Sequence, residues 1–183
     1  MSRKVQLVLL CEDRQHETFA RRFLEKAGWS TRRLRVELGP PGRGSAEQFV
    51  RARFPKELRA YRVNRHRVAE ALIVMVDGDN KGVGTRIAEL DRACQADGLE
   101  ARQPDERVAV FVPTWRIETW LAYLSGSNVD ESKDDYPRLE RPGECREHVN
   151  GLHEMCRRSE LRQPSPPSLD AACEEYRSRL LAP

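Results

Sequence analysis

The stretch that decides the fold is ALIVMVDGDNKG, residues 71–82. Residues 71–76 are an unbroken apolar run of strand length, partly β-branched, as in a strand buried on both faces of a parallel sheet. The run stops at Asp77, and a second carboxylate follows at Asp79 across Gly78. A second fragment, VQLVLLCED (5–13), repeats the arrangement, with an apolar strand at 5–11 running into Glu12 and Asp13. Two strands that each end in acid place charge at the carboxyl edge of a sheet, where open α/β folds bind ligands.

Outward from these strands, the chain alternates. Residues 15–27 set Phe19, Phe23 and Leu24 at helical spacing and stop at Gly28. Residues 33–38 alternate as a strand, and GPPGRGS (39–45) is a loop. Ser45 is the expected N-cap of a helix to about residue 62, with Phe49 and Leu58 inward and Pro55 breaking or kinking it. A helix is expected over 83–96, ending near Gly98, and a strand over 107–112. PTWRIETWLAYLSG (113–126) then reads as a loop into a short helix. This order predicts an α/β fold, a three-layer sandwich with a mainly parallel central sheet, over residues 1–125. Residues 126–183 read as a helical extension of the same globule: a polar excursion, a helix over 143–158, the Pro-rich connector RQPSPPS, and a closing helix over 169–181 capped by Ser168.

Composition bounds the class. A chain of 183 residues, 39% hydrophobic and 33% charged, suits one globular domain with a charged surface and excludes a disordered chain. Its longest apolar runs fall well short of the ~20 residues of a membrane helix. The basic N-terminus leads into only a short apolar run, without a small-residue cleavage site, so it reads as a strand and not a signal peptide. Five cysteines at irregular spacing argue against a disulfide framework and for a reducing cytoplasm. The net charge of +3 announces no nucleic-acid binding by itself, although 27 of the 32 basic residues are arginine. In RARFPKELRAYRVNRHR (51–67) a single acid, Glu57, faces seven Arg and Lys residues. Arg59, Arg62 and His66 share one helical stripe there, either a surface that tracks a phosphate backbone or a solvated face.

The acids carry the chemistry. Glu12 and the Asp77/Asp79 pair end strands, and Glu118 lies just past the strand at 107–112. If the first and third strands are neighbours, four carboxylates share one rim. Clustered carboxylates repel, a cation keeps them charged, and hard oxygen donors favour Mg²⁺ or Mn²⁺. Alternation along a strand would turn Asp77 and Asp79 to the same side. The competing reading is that acids after strands cap the next helix.

Glu at the end of the first strand, Asp-x-Asp at the end of the third and the interposed β/α order resemble the TOPRIM (topoisomerase–primase) superfamily over residues 5–122. Small stand-alone bacterial members, RloB-like proteins and the nuclease half of OLD-family proteins, are similar in character, and RIETW (116–120) is similar to their later Glu-x-Trp-type segment. The family commonly has glycine after the first glutamate. Here Asp13 stands there, crowding the turn or adding an oxygen. The resemblance implies a divalent-metal-dependent nuclease in defence against phage, with Mg²⁺ or Mn²⁺ on Glu12, Asp77, Asp79 and Glu118. Glu12 would be a metal ligand or general acid/base.

Lys81, Arg14 and Arg116 each lie within a few residues of an acid and are candidates to neutralise a scissile phosphate, Arg116 equally to form a salt bridge. The GPPGRGSAEQ loop offers backbone N–H groups at a helix N-terminus, but it lacks the Gly-Lys-Ser/Thr of a Walker A sequence. Arg14, Arg43, Arg59 and Arg62 are the candidate contacts to nucleic acid, DNA or RNA. CREHVNGLHEMC (145–156) invites zinc. Its four Cys and His side chains span about 16 Å of continuous helix, too far for one ion unless Gly151 breaks it. Cys11 reads as a small core residue, and Trp115 and Trp120 as packing anchors or, less simply, stacking platforms for a base. The functional expectation is a nuclease acting on nucleic acid in the cytoplasm, without membrane attachment, with a defence ATPase as its candidate partner. Its rivals are a metal-dependent phosphatase or phosphotransferase and a non-catalytic partner of such an ATPase.

Overall fold

The computed structural model describes residues 6–42, 44–67 and 70–181. Four strands, β1 (Gln6–Cys11), β2 (Leu34–Leu38), β3 (Glu70–Met75) and β4 (Val108–Phe111), form one all-parallel sheet in the order β2-β1-β3-β4. Helices α1 (Arg14–Lys26), α2 (Ser45–Asn64) and α3 (Gly82–Ala96) connect them, α4 (Ile117–Leu124) follows β4, and α5 (Cys145–Val149), α6 (Leu152–Arg158) and α7 (Pro167–Glu175) complete the chain.

Alternation along the strands builds both cores. Val8, Leu10, Leu72, Val74, Val108 and Val110 face α2 and α3. Leu7, Leu9, Cys11, Ala71, Ile73, Met75, Ala109 and Phe111 face α1 and α4–α7. A sheet covered on both faces explains why these strands read as continuous apolar runs. The C-terminal helices share this second core with the sheet. The β4 edge is closed from two sides: Glu175 of α7 accepts the Val110 N–H at 2.9 Å, and Arg102, in the loop before β4 and itself paired with Glu175, donates to the Val108 carbonyl at 2.8 Å.

Several local expectations are corrected. Pro55 sits buried inside an unbroken α2. Ser45 is the first residue of that helix, not its cap; Gly44 holds the cap position with φ 75°. The helix expected over 143–158 divides at Asn150–Gly151 into α5 and α6. Pro166 caps α7, while the Ser168 hydroxyl lies inside it and accepts the Trp120 indole N–H at 2.7 Å. The last turns, Tyr176–Leu180, widen to π geometry. The expectation that cysteines stay unpaired fails once: Cys156 and Cys173 form a disulfide across the Pro-rich connector, where α6 and α7 bring their Cα atoms to 4.7 Å. Cys156 is thereby removed from the zinc quartet. Among the described residues no helix is long and apolar enough to cross a membrane.

Candidate functional site

The strand order puts the ends of β1 and β3 side by side where the sheet's connections diverge, β1 leading to β2 on one flank and β3 to β4 on the other. Open α/β sheets leave their binding crevice at this switch point. Cys11 pairs in register with Met75, so Glu12 and Asp77 leave adjacent strands together. The Glu12 Oε1 accepts the Asp77 backbone N–H at 2.6 Å, tying the two strand ends directly.

His16 supplies a second tie. It lies in the first turn of α1, its backbone N–H capped by the Asp13 carboxylate at 2.9 Å. Asp13 is thus a helix cap. The His16 side chain is fully buried, and its Nε2 stands 2.9 Å from the Asp77 Oδ1. Burial alone would hold the ring neutral, but the Asp77 carboxylate and its hydrogen bond overturn that and push the His16 pKa up to about 9. Its Nδ1 is buried with no partner among the described residues.

Beyond Asp77 the chain pairs with the turn after β4. Gly78 N–H donates to the Pro113 carbonyl at 2.8 Å, and Asp79 and Trp115 exchange two backbone hydrogen bonds of 3.0 Å. A Cβ on Gly78 would stand 2.9 Å from the Pro113 oxygen, so the approach needs glycine there. Asp79 and Trp115 both have positive φ, 46° and 58°. For Trp115 that conformation is unusual, and it is held by the paired backbone and by its indole N–H on the Glu131 carbonyl at 3.0 Å.

The left-handed turn takes Asp79 out of strand alternation. Its carboxylate pairs with Arg86 of α3, a guanidinium only 4% exposed. Arg86 also donates to the Asp77 carbonyl at 2.9 Å and pairs with Glu89 at 2.9 Å and Glu47 at 3.2 Å. It joins the end of β3 to the first turns of α2 and α3. Nothing in the spacing of the sequence marks His16 or Arg86; each becomes visible only through a fold that packs α1 and α3 against the strand end.

Glu118, in the first turn of α4, is 7% exposed. Burial pushes its pKa upward and the nearby Asp77 charge adds to the shift. Glu12 is pushed up to about 7, first by burial and then by Asp77. Asp77 therefore acts on both Glu12 and Glu118, and Asp79 also acts on Glu12.

The other expected contacts are placed differently. Lys81 pairs with Glu89 at 2.7 Å and Arg116 with Asp134 at 2.7 Å. Arg14 is 77% exposed. Arg59 pairs with Asp97 at 3.0 Å. Arg62 forks onto the buried Glu106 at 2.6 and 3.1 Å and onto two carbonyls, so this half of the basic stripe is an internal counter-ion. Arg43 lies outside the described residues. Trp120 is fully buried against Phe19, which leaves it no face for a base, and Cys11 is buried with its thiol pKa pushed far upward by that burial.

Among the described residues, no three His, Cys, Asp or Glu side chains are arranged around one ion. The donor chemistry nonetheless suits a hard divalent cation. The carboxyls of Glu12 and Glu118 are raised by burial beside like charge, a cost that a bound cation removes. No family model, curated protein or solved structure matches the chain.

Proposed function

We propose that this protein is a divalent-metal-dependent nuclease of TOPRIM type, acting on nucleic-acid phosphodiester bonds in defence against phage. The observation that supports it is the contact of Glu12 with Asp77 across neighbouring strand ends at the switch point of a parallel sheet, with the buried Glu118 of a third segment under the Asp77 charge. Glu12, Asp77 and Glu118 would hold Mg²⁺ or Mn²⁺. When bound, the cation polarises a phosphoryl oxygen and neutralises charge that develops on it.

The chain's own residues do the rest. His16 holds one oxygen of Asp77 and leaves the other for a ligand. Glu12, which accepts the Asp77 N–H through Oε1, ties the two strand ends that would hold the cation. Arg86 fixes the Asp77 carbonyl and Asp79, holding the loop that carries the site.

Isothermal titration with Mn²⁺, and cleavage of DNA, RNA and a generic phosphate ester, test this reading. Metal-dependent cleavage of nucleic acid, lost in Asp77→Asn while that variant stays folded, is the expected result. Cleavage of the small ester alone makes the protein a phosphatase, and absence of metal uptake makes it a non-catalytic partner.

A further inference from the structure

The arginines divide into two populations. On α2 three are paired with acids of this chain: Arg53 with Glu57 at 2.9 Å, Arg62 with the buried Glu106, and Arg59 with Asp97 at the surface. On the opposite face of the sheet, a cleft of about 430 Å³ runs between α1 and the segment Pro142–Arg146, lined by Arg14, Arg21, Arg22 and Arg146. Arg14 is 77% exposed, its nearest acid, Glu17, at 3.9 Å. Arg146 is exposed and has no ionic partner among the described residues. Arg21 and Arg22 are oriented by Glu17 at 3.0 Å and by the Asn150 side chain at 2.8 Å.

We propose that this cleft holds the sugar-phosphate backbone of the nucleic acid that the acidic rim acts on, a reading that rests on the nuclease assignment. Four arginines against Glu17 and Glu25 leave the cleft positive, and guanidinium forks suit phosphate oxygens. Pro142 is the one apolar residue lining it, so it offers no apolar anchor of the kind that carries a protein interface. The cleft also begins at the site: Arg14 is the first residue of α1, two positions after Glu12. From Arg14 to Glu25 the helix extends roughly 16 Å, enough to pass several phosphates. A strand lying along α1 reaches the ends of β1 and β3 at its Arg14 end.

Fluorescence anisotropy in EDTA, which prevents turnover, tests this with labelled single-stranded DNA, duplex DNA and single-stranded RNA. The double variant Arg14→Gln/Arg146→Gln alters two exposed side chains and is expected to fold normally by circular dichroism. It should bind at least about tenfold more weakly, with a salt dependence shallower by about 1.4 on single strands or 1.8 on duplex, as two lost phosphate contacts require. Arg59→Gln should bind like the parent. Unchanged binding by the double variant, or an equal loss in Arg59→Gln, overturns the cleft while the nuclease reading stands. No binding of any nucleic acid by the parent protein, when a separate calorimetric titration without EDTA shows Mn²⁺ uptake, overturns both.

Discussion

Replacing Glu12 by Gln should stabilise the metal-free protein above neutral pH. The Glu12 carboxyl is raised from 4.5 to about 7 in the folded state, by burial first and Asp77 second. Below pH 4.5 both states hold the proton and the group contributes no difference. Between pH 4.5 and 7 the folded protein keeps a proton that the unfolded chain releases, so stability falls as pH rises. Above pH 7 the full cost is present, about 3 kcal/mol at 1.36 kcal/mol per unit. Gln removes the charge and keeps a carbonyl to accept the Asp77 N–H. In EDTA at pH 8 the variant should therefore gain about 3 kcal/mol, or roughly 6–12 °C in Tm for a chain of this size. At pH 4 the two proteins should melt together. Adding Mg²⁺ at pH 8 should stabilise the parent and narrow the gap. Thermal and urea unfolding across this range measure it. A Glu12→Gln protein no more stable than the parent at pH 8 would refute the claim that the rim carries uncompensated charge.

The same linkage governs His16 with a different window. Its pKa is raised from 6.5 to about 9, so its contribution is complete below pH 6.5 and is lost as pH rises through 9. His16→Gln retains a donor for Asp77, and its unfolding free energy should lack that alkaline decline; an unchanged pH profile would contradict the pairing. Arg62→Ala removes the forked partner of Glu106, which is 2% exposed, and leaves it Arg65 at 3.4 Å and the Gln103 N–H at 2.7 Å, so it should cost about 1.5–3 kcal/mol by urea unfolding. Gly78→Ala should weaken Mn²⁺ binding measured calorimetrically, because its Cβ would press on the Pro113 carbonyl and displace the loop between Asp77 and Asp79.

Three strands were legible because burial on both faces demands continuous apolar runs, and 7–11, 71–76 and 108–112 supply them. Their adjacency was open until the order β2-β1-β3-β4 put β1 beside β3. Glu12, Asp77 and Glu118 could be singled out because each closely follows a strand. Local rules misplaced what tertiary contacts control. Pro55 is accommodated in α2, and Ser168 serves Trp120 and not a helix end. The disulfide joins residues 17 apart through a connector whose path no spacing rule gives. The basic stripe failed as a guide for the same reason. Its partners Asp97 and Glu106 lie 38 and 44 residues downstream, so Arg59 and Arg62 looked unpaired only along the sequence.

The position of uncompensated charge separates the acids more sharply than their number does. Asp79 has Arg86, Glu89 has Arg86 and Lys81, and Asp77 has His16 on one oxygen. Glu12 meets only a backbone N–H, and Glu118 makes no side-chain ion pair among the described residues. The carboxyls of Glu12 and Glu118 are the ones pushed upward, both by burial and by Asp77. On the proposed reading a cation gains most beside Glu12 and Glu118, whose carboxyls burial and Asp77 push upward, and least at Asp79, whose guanidinium partner it would have to displace. The two aspartates of the Asp-Gly-Asp sequence are then unequal. On the proposed reading Asp77 would hold the cation while Asp79 anchors the loop through Arg86, so Asp79→Asn should retain metal affinity that Asp77→Asn loses. Equal losses in both would mean that Arg86 yields its partner when metal arrives.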